Sequence, residues 1–90
     1  MSTRRTDYTV NFTNSAAREF RSLPSETKRR VESAVDSLQR TPRPPGVRKL
    51  QGHNELYRIR IGSYRLVYEI DDSTARLLVV KIRHRSEAYR

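Results

Sequence analysis

Arg58, Arg60 and Arg65 lie close together in the stretch YRIRIGSYRLVY, residues 57–68, and the chemistry open to them is that of an anion clamp. A guanidinium keeps its charge at any ordinary pH, and its planar fork of donors matches phosphate oxygens two at a time. Gly62-Ser63 reads as the two-residue loop of a type II′ hairpin, with glycine first. The residues flanking such a loop pair across it, so Ile61 faces Tyr64 and Arg60 faces Arg65. Alternation then puts Tyr57, Ile59, Ile61, Tyr64, Leu66 and Tyr68 on one largely apolar face, and Arg58, Arg60 and Arg65 on the other. Like charges directly opposite each other destabilise a sheet. A sheet that places them there is built to receive an anion.

A second group of cations, Lys81, Arg83 and Arg85, arrives on the last strand in VVKIRHRSEAYR. The turn before that strand decides whether Lys81 and Arg83 join the face of Arg65. A three-residue loop keeps them there; a two- or four-residue loop does not. His84 stands between Arg83 and Arg85, just past the expected strand end. Flanking cations favour its neutral form, which a general base requires; the alternative is an ordinary surface histidine. Tyr89 has little obligation to the core, and an exposed aromatic beside a basic groove is a stacking platform for an unpaired base. His53, in QGHN, reads as a loop residue. Asp71 and Asp72 are turn formers rather than metal ligands, and no metal or other cofactor is expected.

The elements that must position these residues follow from periodicity. Residues 1–6 read as a loose basic tail on a single domain spanning 1–90. DYTVNF (7–12) alternates as a first strand. TNSAAREFRSL (13–23) is a helix capped by Thr13 or Asn14, with Ala16, Phe20 and Leu23 at helical spacing. After Pro24 a second helix carries Val31, Ala34, Val35 and Leu38 as a core-facing stripe. TPRPPGVRK (41–49) is a proline-rich connector. Three strands follow at hairpin spacing, near 55–61, 64–71 and 75–83, with DDST as the second turn. Strand, two helices and a three-stranded antiparallel meander predict an α+β fold with both helices on one sheet face. The other face stays open, with the arginines on it.

Composition narrows the partner. Lys and Arg total 19 against 10 acidic residues, for a formal charge of +9 in 90 residues. Lys28, Lys49 and Lys81 are the only lysines, and so strong a bias to arginine favours a phosphate-bearing partner or an acidic protein. No helix has the basic rim and bulky apolar face of a membrane binder. Cysteine is absent, which excludes disulfides, thiolate nucleophiles and thiolate metal sites. The charged N-terminus is not followed by an apolar run, and LLVV at 77–80 is far too short for a membrane span. A cytoplasmic protein is the expectation.

The segments ELYRIRIGSYRLVYEIDD and VVKIRHRSEAYR, together with AAREFRSLP, the Val/Leu-striped helix and RPPGVRKLQG, resemble toxins of the RelE/ParE superfamily, specifically its RelE branch. The resemblance implies a layout like that of small microbial ribonucleases. It also implies cleavage of mRNA in the ribosomal A site without a metal, by attack of the ribose 2′-OH on its own phosphate. Under it Arg65 and Arg83 clamp the transition state, and Tyr89 positions or stacks the nucleotide. Arg58, Arg60, Lys81 and Arg85 bind RNA. Arg58 and Arg60 stand where family members commonly carry lysine. Arginine does not serve as a base, so the base falls to His84, with Glu55 and Tyr89 behind it. The implied partners are a cognate acidic antitoxin, the ribosome with mRNA, and operator DNA only through the antitoxin complex. The alternatives are a ParE-like gyrase inhibitor and a non-catalytic RNA- or ribosome-binding module.

Overall fold

The computed structural model describes residues 7–50 and 56–86. The elements are β1 (Thr9–Phe12), α1 (Asn14–Arg21), α2 (Ser25–Arg40), β2 (Arg48–Lys49), β3 (Leu56–Ile61), β4 (Tyr64–Asp71) and β5 (Arg76–His84). Thr13 ends β1 and starts α1: its backbone is extended (φ −67°, ψ 164°), and its hydroxyl accepts from the Ala16 N–H at 3.1 Å. This makes Thr13 the cap, rather than Asn14. Pro24 then disfavours helical backbone at Leu23, so the chain turns before α2 begins at Ser25. The stripe of α2 is core-facing as expected, with Val31 and Leu38 fully buried and Ala34 and Val35 packed against the core.

All five strands form one sheet, in the order β1-β5-β4-β3-β2. The meander β3-β4-β5 is antiparallel, β1 joins its far side parallel to β5, and β2 pairs antiparallel with β3. The α+β class and the single helical face are as predicted. The strand β2 is an addition: residues 48–49 lie in the stretch read as a connector, and two exposed residues leave no alternation from which to read a strand. Core contacts run from Ala16, Leu23, Val31 and Leu38 on the helices to Tyr57, Ile61, Leu66, Tyr68, Ile70, Leu77, Val79 and Ile82 on the sheet.

The hairpin matches its sequence. Ile61 pairs with Tyr64 and Arg60 with Arg65, and of the two loop residues only Gly62 has a positive φ (59°), as a type II′ turn requires. The next turn departs from expectation. Asp71 pairs with Arg76, leaving a four-residue loop, 72–75, closed by Ala75 at φ 56°. Such a loop by itself would send Lys81 and Arg83 to the apolar face. A β-bulge reverses this: Tyr68 pairs with Val79 but Val67 with Lys81, so Val80 is an extra residue that shifts the alternation by one. Lys81 and Arg83 therefore join the face of Arg65 despite the even loop.

Below that turn, polar contacts tie the proline-rich connector to the sheet. The Arg43 guanidinium donates to both Asp72 carboxylate oxygens (3.3 and 3.0 Å) and to the Tyr57 hydroxyl (3.1 Å), and lies 5.0 Å from the Tyr57 ring centre. The Tyr8 hydroxyl donates to Asp72 (2.7 Å), and the Tyr68 hydroxyl to the Pro42 carbonyl (2.7 Å). Arg43, and secondly Tyr8, hold the Asp72 carboxyl below its ordinary range. A depressed carboxylate stabilises the fold above its unfolded pKa of about 3.9 and loses that contribution as pH falls through the lower folded value. Thermal unfolding of wild type and Asp72→Ala should therefore differ at pH 7, with the gap narrowing below about pH 4; a gap independent of pH would assign the effect to packing.

Candidate nucleic-acid interface

Register assembles the cations on the sheet face away from the helices. Arg60 pairs with Arg65 and Arg65 with Arg83, giving one row across β3, β4 and β5. One step away, Arg48 pairs with Arg58, Arg58 with Val67 and Val67 with Lys81, giving a second row across four strands. The rows are two residues apart along each strand, about 6.7 Å. Six cations thus occupy two adjacent rows, with Val67 the one uncharged member. Arg58 and Arg60 share a face with Arg65 as the hairpin predicted, and the bulge settles the parity that the sequence left open by adding Lys81 and Arg83 to it.

Arg65 sits at the centre of the first row and is only 4 % exposed. The open face was expected to leave it solvated; instead it is the buried charged residue among those described. Its strand partners on either side are Arg60 and Arg83, and a buried charge acts through a lower dielectric than an exposed one. Arg83 is partly exposed and is held from the side: its Nε donates to Glu19 Oε2 at 2.8 Å. Arg60, Arg48 and Lys81 are exposed. The result is a fixed, buried centre with cationic arms around it, the arrangement that stabilises charge developing on a phosphate.

His84 does not join this group. It is the last residue of β5, not one beyond it, so alternation turns it away from Arg83. It pairs with Tyr64, their rings meeting edge-on with centres 5.2 Å apart. The Ser86 N–H donates to His84 Nδ1 at 3.2 Å, and an Nδ1 that accepts leaves the neutral ring's proton on Nε2. Arg85 lies exposed in the turn after β5, its N–H donating to the Ser63 carbonyl (2.7 Å). Tyr89, Glu55 and His53 fall outside the described residues. Among the described residues no group of three or more His, Cys, Asp or Glu side chains converges to hold a metal, and no helix is long and apolar enough to cross a membrane. A cavity of about 320 Å³ lies at the hairpin tip, lined by Pro24, Arg30, Ile61 and Tyr64 among others; it opens on the helical side, away from the rows.

Two contributors are not legible in the sequence pattern. Arg48 is drawn into the second row by β2, which no sequence period announced. Glu19 reaches the first row from α1, 64 residues away in the chain, and nothing local marks it.

The family described as "ParE toxin of type II toxin-antitoxin system, parDE" matches residues 10–89. The chain belongs to this toxin family. Its relatives place it in the RelE branch. It is 37 % identical over 87 residues to Toxin RelG of Mycobacterium tuberculosis, covering 92 % of this chain and 97 % of that one. It is 31 % identical over 86 residues to the mRNA interferase toxin RelE of Escherichia coli K12, covering 91 % and 90 %. Among solved structures, the archaeal RelE–RelB complex from Pyrococcus horikoshii OT3 superposes with a TM-score of 0.81 at 30 % identity, over 91 % of this chain and 99 % of that one. The RelE layout is thus established on sequence and structure together.

A two-row array should bind single-stranded RNA with a salt dependence set by the number of phosphates engaged. Arg48→Ala is expected to weaken RNA binding and to lower the slope of log K against log salt by about 0.7. Fluorescence anisotropy over a salt series measures this; an unchanged slope would remove Arg48 from the interface.

Proposed function

We propose that this RelE-branch toxin is an endoribonuclease that cuts mRNA in the ribosomal A site. The observation that carries the reading is the row Arg60–Arg65–Arg83 with its buried centre. Attack of a ribose 2′-OH on the adjacent phosphate builds a pentacoordinate phosphorane with extra negative charge. Breaking the bond to the 5′-oxygen then leaves a 2′,3′-cyclic phosphate and a 5′-OH. Guanidiniums held around the phosphate favour that charge without reorganising, and in this reading Arg65 and Arg83 grip the non-bridging oxygens. The second row takes the neighbouring backbone, and Tyr89 stacks on or positions the nucleotide.

The 2′-OH must give up a proton. His84 faces the other side of β5, and the arginines do not act as bases. Among the described residues of the two rows, Lys81 is the group able to exchange a proton, so it takes the first place that His84 held; Glu55 and Tyr89 follow. In free protein the exposed rows call for an acidic partner. RelE relatives crystallise with RelB antitoxins, and a cognate antitoxin covering the arginine face would neutralise this chain. Operator DNA is reached only through that complex.

Primer extension on mRNA, with and without translating ribosomes, tests the whole reading. Cuts at the A-site codon that require ribosomes are expected from wild type and not from Arg65→Ala, which should lose growth inhibition while remaining folded. A toxic, well-folded Arg65→Ala protein would remove the phosphate clamp; a toxic wild type that cuts nothing would turn attention to gyrase supercoiling. The base is tested by substitution. His84→Gln should leave cleavage unchanged, whereas Lys81→Arg, which keeps the charge, should slow it.

A further inference from the structure

We propose that Glu19 is a positioning residue that aims Arg83 at the scissile phosphate, an assignment that rests on the nuclease reading. β1 covers β5 only as far as the pair Phe12–Val79. Among the described residues no strand pairs with the outer edge of β5 beyond it, and the Ile82 N–H faces that edge. Because α1 starts directly after β1, its second turn lies over that edge. Glu19 meets it with both carboxylate oxygens: Oε1 accepts from the Ile82 N–H at 2.8 Å, and Oε2 accepts from Arg83 Nε at 2.8 Å. Both contacts are partly buried, and the Glu19 side chain is 24 % exposed.

The geometry gives the carboxylate two separable tasks. By taking the Ile82 N–H it closes the sheet edge, which is a structural role. By taking Nε it fixes one side of the Arg83 guanidinium and leaves the two terminal nitrogens, the other donor edge of the fork, for a phosphate. A long side chain held at one end loses much of its rotamer freedom before substrate arrives, and misplacement by about 1 Å in such a clamp costs on the order of 100-fold in rate. Glu19 also sets one negative charge beside a row of three positive ones. It does so at the side of the row, where it restrains Arg83 without covering Arg65.

Glu19→Gln separates the tasks. An amide offers a single acceptor oxygen, so it can satisfy Ile82 or Arg83 but not both, and it carries no charge. In the full-length protein the Arg83 Nε–H resonance reports the contact directly: it should be protected from solvent exchange in wild type and lose that protection in Glu19→Gln. Cleavage of ribosome-bound mRNA by Glu19→Gln should fall by about 10- to 100-fold in kcat with KM little changed. In an Arg83→Ala background the same substitution should cost nothing further, because Glu19 acts through Arg83. An equal loss in both backgrounds would make Glu19 merely structural and overturn the proposal, as would wild-type kcat in a Glu19→Gln protein that has lost the Nε protection. Wild type that fails to cleave at all would overturn the nuclease reading and this proposal with it, whereas a cleaving wild type insensitive to Glu19→Gln would overturn this proposal alone.

Discussion

Three guanidiniums in neighbouring strands repel one another, and the rest of the fold is arranged around holding them together. The row Arg60–Arg65–Arg83 sets like charges opposite each other twice, an arrangement that destabilises a sheet. The same strands bury Leu66, Tyr68, Ile70, Leu77 and Val79 almost completely on their opposite face, each worth about 1.5–3 kcal/mol. The apolar face therefore outweighs the repulsion on the charged one. Register is what couples the two faces, since a slip of one residue would exchange them.

The supporting features fall into place around that register. The type II′ turn at Gly62 sets the pairing of β3 with β4, and the Val80 bulge sets that of β4 with β5 over the stretch that carries Lys81 and Arg83. At the opposite end of the meander, Asp72, Arg43 and Tyr8 link the turn, the connector and the N-terminal strand. That network keeps the connector in place, and the connector delivers Arg48 to the edge of β3. The helices contribute differently: α2 supplies core, while α1 supplies core and one carboxylate at the sheet edge.

This chain carries arginine at positions 58 and 60. Each place gains a charge and a bidentate fork, but no group able to lose a proton. Lys81 lies on that same face only because of the bulge, so a backbone irregularity decides whether an exchangeable proton is available beside the arginines.

Local pattern was enough for much of this protein. The alternation in YRIRIGSYRLVY, with Gly-Ser at its centre, determined the hairpin, its register and the facing of Arg60 and Arg65, because a two-residue turn leaves no freedom in pairing. The i, i+3, i+4, i+7 stripe determined the core side of α2 in the same way. Tertiary structure decided what depends on other strands. The face of Lys81 and Arg83 hinged on a bulge, and a bulge is a contest between two strands over register that neither sequence displays alone. The facing of His84 followed from β5 running one residue further than its pattern suggested. The burial of Arg65 and the contact between Glu19 and Arg83 are likewise tertiary, the second arising from a helix that starts directly after β1. A side chain's type and period are written in the sequence, but the partner it meets across many residues of chain is set only when the sheet closes.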